Sequence, residues 1–450
     1  MNNRYTYLLS GLIIFFGVFF SMKESSVGLG LGTVSMMVFW WITQPIPLYI
    51  TALIPIAVGP IFGIVTNEQL ASSYGNHMIF LFLGGFIMAL GIEKWKLHEY
   101  ISIRLIRFFG NSPVRILIGF MVATAFLSMW ISNTATTLMM LPMAMSVIKS
   151  VKGDGKTRFA TGLLISIAYA ANIGGTATII GTPPNVQLAG ILSQQYNVHI
   201  DFFQWLKLGL PFSVLTNFIA FLFIKQLFFR NLSLDMPEFE KTTLDKEQKI
   251  VLFTFSFIVF LWIFSKPILA PFGVAISDTA IAVLGGLLFF VLPGQEGKSL
   301  LVWKDMDRIP WGILILFGGG LAVAQILAKT GVISELVNYL SAWSTSSIVV
   351  IILLLITITV FATELMSNLA LVSLLIPIVA TFSLEFNLPL VLLCSGVALA
   401  SSCAFMLPVA TPPNAIVYSS NMIPIKKMVQ VGLYLNIVVV LIISFFLFLY

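Results

Sequence analysis

Apolar residues in this chain neither alternate nor recur in stripes; they form long runs divided by short polar stretches. Such runs predict helices that cross a bilayer. A span needs about 20 apolar residues, and lipid offers backbone polar groups no partner outside a helix or a closed barrel. The runs place spans over 5–22, 27–44, 48–66, 78–108, 113–150, 159–195, 205–229, 248–265, 275–293, 310–329, 345–384, 388–418 and 428–450. Two of them, 113–150 and 345–384, are too long for one crossing and carry Ser-Asn near the middle, which predicts helical hairpins. Two others, 159–195 and 388–418, are broken by Pro-Pro, which removes backbone donors and interrupts a helix. The first run follows one basic residue, Arg4, and lacks a small-residue cleavage site, so it predicts a membrane helix rather than a cleaved leader.

Composition agrees: 58% of residues are hydrophobic and 9% charged, against about 25% charged in soluble domains. The fold class expected is all-α and polytopic, with bilayer as the solvent. The net charge is +6, but its placement says more. With Arg4 inside and each hairpin entering and leaving on one side, the Lys/Arg-rich loops near 94–115, 149–158, 225–249, 298–308 and 426–427 all fall in the cytoplasm. The outside keeps only Lys23, Lys207, Lys266 and Lys329. The N-terminus is therefore expected in the cytoplasm of a cell-membrane protein. Both full crossing and re-entry by the hairpins satisfy this sidedness. The basic residues make no continuous stripe, so no nucleic-acid partner is expected. Cys394 and Cys403 sit in apolar sequence, and His77, His98 and His199 are scattered, so neither a disulfide nor a metal cluster is expected.

The two halves resemble each other. FLGG at 82–85 matches FGGG at 317–320, Ser132-Asn133 matches Ser367-Asn368, and Pro142 matches Pro377. GTPPN at 181–185 then matches ATPPN at 410–414 at a slightly shorter offset. An odd number of crossings separates equivalent points, which turns the second copy over. This is an inverted-topology repeat, a common plan for carriers with a site near mid-bilayer. It divides the chain into 1–230 (N-terminal helix and first repeat), a cytoplasmic linker at 231–249, and 250–450 (second repeat).

Ser132-Asn133-Thr134 and Ser367-Asn368 are the candidate chemistry. Ser and Asn favour helix ends, and broken helix in lipid is tolerated only inside protein or at a cavity. A hairpin tip offers a helix N-terminus whose N–H groups suit an anion. It also offers the preceding helix's carbonyls, which suit a small hard cation such as Na⁺. Ordinary capping would explain one such pair; two at matched positions argue for a site. The breaks at Thr182-Pro183 and Thr411-Pro412 extend the argument, since Gly181 and Ala410 before them leave carbonyls free. Four breaks are expected to converge. No lysine or arginine lies around the tips, so a dianion would be held by hydroxyls, amides, dipoles and co-bound Na⁺. Glu364 lies in apolar context near Ser367 and is a functional candidate by default, with capping or a water-facing role as the alternative. The FLGG and FGGG glycines are read as close-packing positions. An enzyme would need a nucleophile–base pair or a metal cluster within the membrane, and neither is visible. A cation/proton antiporter would want an intramembrane Asp or Lys in the broken helices, and the Pro-Pro segments have neither.

LSMWISNTAT, GTPPN, TELMSNLA and CAFMLPVATPPNAIV make the chain, over essentially its whole length, similar to the divalent anion:sodium symporter family of dicarboxylate and citrate carriers. The resemblance implies about eleven transmembrane helices plus two re-entrant hairpins. It also implies a homodimer and an elevator movement of a transport domain against a dimeric scaffold. The implied function is Na⁺-coupled import of small dianions (succinate, malate or fumarate, with citrate and sulfate as further candidates), with no cofactor beyond Na⁺ as coupling ion. Exchange without Na⁺ is the alternative. One sodium site would use Ser128, Ser132, Asn133 and the Gly181 carbonyl; the other Thr363, the Met366 carbonyl, Asn368 and the Ala410 carbonyl. Substrate carboxylates would meet Ser132, Asn133, Thr134, Ser367 and Asn368, with Thr182, Pro183, Thr411 and Pro412 lining the site. The family's second motif is commonly Ser-Asn-Thr; here Leu369 replaces the threonine, and that side of the site loses a hydrogen-bond donor.

Overall fold

A computed structural model describes residues 2–236, 242–274, 276–341 and 348–448. The linker's 237–241, which includes Lys241, and the first residues of the 345–384 run lie outside the described residues. Among the described residues the chain is helical with no β-sheet, only two isolated bridges, Lys152–Asp235 and Pro293–Ser299. Eight described helical stretches are long and apolar enough to cross a membrane, with shorter apolar helices beside them. The protein is a multi-pass α-helical membrane protein.

The first half contains α1 (Asn2–Ser21), α2 (Ser25–Thr43), α3 (Leu48–Thr51), α4 (Ile54–Ile61), α5 (Asn67–Tyr74), α6 (His77–Lys94) and α7 (Leu97–Phe109). It continues through α8 (Pro113–Ser128), α9 (Asn133–Ser150), α10 (Lys156–Gly175), α11 (Pro183–Tyr196) and α12 (Phe202–Ile224). The second half has α13 (Lys246–Leu269), α14 (Asp278–Val291), α15 (Trp311–Lys329), α16 (Val332–Ser341) and α17 (Ile348–Ala362). It ends with α18 (Asn368–Glu385), α19 (Leu390–Ser401), α20 (Pro412–Tyr418) and α21 (Ile425–Phe448).

Both Ser-Asn positions break a helix. α8 stops at Ser128 and α9 starts at Asn133, while α17 stops at Ala362 and α18 starts at Asn368. Both Pro-Pro positions restart one, at Pro183 for α11 and Pro412 for α20, where proline's missing N–H costs nothing. Hydropathy alone merged elements elsewhere. The run 78–108 is two helices, because Lys96 adopts a left-handed φ of 55° between them. Trp95 holds that bend: its indole donates to the Leu300 carbonyl and its own carbonyl accepts from Gln248. The run 48–66 likewise splits at Ala52-Leu53, and the short helices α5 and α16 lie between runs.

The broken helices of the first half sit at the centre. Every residue of α10 from Phe159 to Gly175 is buried. α10 packs on α8, α9, α12 and α20, while α18 packs on α11, α15 and α19. The glycines behave as packing positions: a Cβ at Gly84 would lie 2.5 Å from the Ala282 carbonyl, and one at Gly319 2.4 Å from that of Ala52. α15 can therefore approach α3 at backbone distance.

Candidate functional site

The first hairpin tip is held by one hydroxyl between two oxygens. Ser128 Oγ is buried, 2.7 Å from Asn133 Oδ1 and 2.8 Å from the Ala171 carbonyl. The second tip repeats this with Thr363 Oγ1, 2.7 Å from Asn368 Oδ1 and 2.6 Å from the Ser401 carbonyl. A hydroxyl carries one proton. With the amide oxygens turned inward, each trio of oxygens therefore has an acceptor left unopposed. Gly175 widens the first pocket: a Cβ there would fall 2.3 Å from Asn133 Oδ1 and 3.1 Å from the Gly181 carbonyl. Its absence leaves an oxygen-lined gap.

The Pro-Pro breaks are pinned by the asparagines that follow them. Asn185 Nδ2 donates to the Thr178 carbonyl at 2.8 Å, and Asn414 Nδ2 to those of Ala404 and Leu407 at 3.1 Å each. Both amides are fully buried and fold the unwound segment back over its helix start.

The four breaks meet at one cavity of about 480 Å³. All ten substrate-site candidates line it: Ser132, Asn133, Thr134, Thr182, Pro183, Ser367, Asn368, Leu369, Thr411 and Pro412. Of the sodium candidates, Ser132, Asn133, Met366, Asn368 and Ala410 line it, while Ser128, Gly181 and Thr363 lie behind its wall. Helices α9, α11, α18 and α20 all begin at this cavity, so four positive dipole ends face it. Free backbone N–H groups come from α9 and α18, because α11 and α20 start with Pro-Pro and lack the first two donors. The caps differ: Ser132 Oγ accepts from Ala135 N and Thr411 Oγ1 from Asn414 N, whereas the Ser367 and Thr182 side chains cap nothing. Among the described residues no lysine or arginine lines the cavity.

Sequence reasoning missed several contributors. Asn172 lines the cavity from α10 and donates across the halves toward Thr411 Oγ1 at 3.0 Å and the Ala404 carbonyl at 3.3 Å. Its only signal was that it is the one amide side chain of α10. Trp41, Gln44, Ile313 and Leu316 complete the wall from α2 and α15, and no motif marks them. Leu369 is only 4% exposed and packs in a cluster with Val34, Trp41, Leu316 and Val323. It therefore serves the seam between the second hairpin and α2 and α15 as well as the cavity rim.

Glu364 does not face water. It is buried and accepts from three consecutive backbone N–H groups, Phe405 at 2.7 Å, Met406 at 2.8 Å and Leu407 at 3.0 Å, and from Asn436 Nδ2 at 2.8 Å. Consecutive N–H groups on an unwound segment form an anion nest, which this side chain fills. It ties the second hairpin to the second Pro-Pro break. Among the described residues no group of histidine, cysteine, aspartate and glutamate is arranged to hold a metal ion.

The family model described as "Citrate transporter" matches residues 38–388. The chain is 37% identical over 433 residues to the sodium-dependent dicarboxylate transporter SdcS of Staphylococcus saprophyticus, covering 91% of this chain and 83% of the relative. It is also 37% identical over 426 residues to that of Staphylococcus aureus, covering 90% and 82%. Among solved structures, the YdaH transporter of Alcanivorax borkumensis superposes with a TM-score of 0.57 at 15% identity, covering 84% of this chain and 86% of that one. At that identity the likeness concerns the fold.

Proposed function

This chain belongs to the citrate-transporter family, and from that premise we propose that it imports small dianions, C4-dicarboxylates first, by symport with Na⁺. The observation that carries the reading is the pair of matched oxygen pockets, one behind each hairpin tip, flanking a cavity that no basic side chain lines among the described residues. Hard cations prefer oxygen ligands, and an anion prefers helix N-termini.

Moving an isolated ion into a low-dielectric interior costs tens of kcal/mol on a Born estimate. Here the compensating charge comes from cations bound by Ser128, Ser132, Asn133 and the Gly181 carbonyl, and by Thr363, Asn368 and the Met366 and Ala410 carbonyls. The substrate carboxylates meet Ser132, Asn133 and Thr134 on one side and Ser367 and Asn368 on the other. Since that charge is present only while Na⁺ is bound, the two fluxes are coupled. Any excess of cation charge over substrate charge draws about 2.3 kcal/mol per charge from each 100 mV of membrane potential. The same reading takes the division at 231–249 as a cytoplasmic linker between two inverted repeats. It places the N-terminus in the cytoplasm, and it takes the working form as a homodimer in which the hairpins and broken helices move as an elevator.

Purified protein in proteoliposomes tests this. An inward Na⁺ gradient is expected to drive [¹⁴C]succinate above its equilibrium level, and a K⁺ gradient is not. Succinate–malate exchange that ignores Na⁺ would replace symport with anion exchange.

A further inference from the structure

A second cavity, of about 540 Å³, adjoins the first and shares Ser132, Thr134 and Ile313 with it. It runs between the first hairpin and a wall made by α6 and the start of α15. Most of its lining is apolar, Phe86, Leu90, Leu138 and Met139 among it. Besides Ser132 and Thr134 the exception is an ion pair: Arg308, just before α15, donates to the Glu93 carboxylate near the end of α6. Beside it Lys94 and Asp305 pair at 2.7 Å, and Asp305 also feels the charge of Arg308. Among the described residues Arg308 is the only basic one lining either cavity.

Three features set Arg308 apart from an ordinary structural ion pair. Its side chain is half exposed, at 51%, and lines an open cavity that shares Ser132, Thr134 and Ile313 with the site. A guanidinium has five N–H donors in a fixed fork that matches a carboxylate. Among the described residues only its bond to Glu93 Oε1 is formed, which leaves most of the fork unused. The pair also marks the end of the molecule where α6 finishes and α15 begins, the end that the positive-inside pattern assigns to the cytoplasm.

We propose that Arg308 is a second carboxylate site, a waiting position that takes one carboxylate of the dianion between the central cavity and the cytoplasmic water. The proposal rests on the dianion reading above. Glu93 is the resident competitor. By pairing with Arg308 when no substrate is present, it keeps the guanidinium aimed into the cavity and limits how tightly the passing dianion is held. A weak, shared cation suits this task, because a stop on a transport route must release what it captures.

The test compares the two faces of the membrane. Succinate counterflow is measured in whole cells, where substrate enters from outside, and in inside-out vesicles, where it enters from the cytoplasmic face. Arg308→Gln is expected to raise the half-saturating succinate concentration about five- to tenfold in inside-out vesicles and to leave that in whole cells unchanged. Arg308→Lys should recover part of the loss, and Glu93→Gln should lower the cytoplasmic half-saturation and slow release. High salt should erase the wild-type advantage and have little effect on Arg308→Gln. The double variant Arg308→Gln/Glu93→Gln decides the cause: it should keep a raised cytoplasmic half-saturation. Return of the double variant to wild-type behaviour would show that Arg308 only neutralises Glu93 and would overturn the proposal. So would an equal shift on both faces, or none. Failure of the wild type to take up succinate with Na⁺ would instead sink the functional reading itself.

Discussion

The two hairpin tips share a skeleton and differ in decoration. In each, a buried hydroxyl sits between an asparagine amide and a carbonyl of the neighbouring broken helix, Ser128 in one and Thr363 in the other. Around it the first tip is neutral. Its link to the unwound segment is one bond, from Thr178 Oγ1 to the Met129 carbonyl. Glu364 holds the corresponding place in the second tip and makes four bonds through a buried carboxylate. Thr134 after the first asparagine is a donor, whereas Leu369 after the second is packed into an apolar seam. The shared part is what a cation needs, a cluster of oxygens at fixed spacing. The differing part governs how firmly each tip is tied to its broken helix and, on the proposed function, which groups would meet the substrate.

The skeleton is where the largest effects are expected. Asn133→Ala and Asn368→Ala should each abolish Na⁺-driven uptake with surface expression retained, measured as radiolabelled succinate accumulation alongside surface biotinylation. If one variant kept substantial uptake, the two pockets would not be equivalent in the transport cycle.

Next in size is the asymmetric tie. Glu364→Ala strands three backbone donors and an amide in a buried site, at about 1–3 kcal/mol for each unsatisfied group. The expected result is a clear loss of thermal stability in detergent, with Glu364→Gln intermediate because it retains an acceptor oxygen. Thr178→Val, which removes only one hydroxyl bond in the first half, should cost far less. Equal losses would mean that the carboxylate is not what holds the second break.

The smallest effect concerns selectivity. Leu369→Thr restores the first half's pattern and should shift preference across succinate, malate, citrate and sulfate while Na⁺ dependence persists. An unchanged competition profile would assign Leu369 wholly to the seam with Trp41 and Leu316.

The run pattern, the hairpins and the four breaks were legible because each leaves a coarse mark: an overlong apolar stretch, a Ser-Asn pair, a Pro-Pro pair, and the recurrence of all three. The bend at Lys96 was not, since it depends on Trp95 bonding to Leu300 and Gln248, residues far away in sequence. Trp41, Gln44 and Ile313 escaped for a related reason: they reach the cavity through tertiary packing, and a single side chain at a membrane helix end has no distinguishing pattern. Glu364 was visible as a buried charge, but its partners are backbone N–H groups, which no residue name reveals. Arg308 read as one more basic loop residue. Only its position beside a cavity separates it from its neighbours.

Asn172 belongs to the first half of the chain, yet its amide hydrogens are spent on the second. Any displacement that preserves those bonds must carry both Pro-Pro breaks as one rigid cargo bay, keeping the spacing between their helix starts constant. On the proposed elevator movement, whatever travels in that bay would meet the same floor at departure and at arrival, and only the surrounding walls would change.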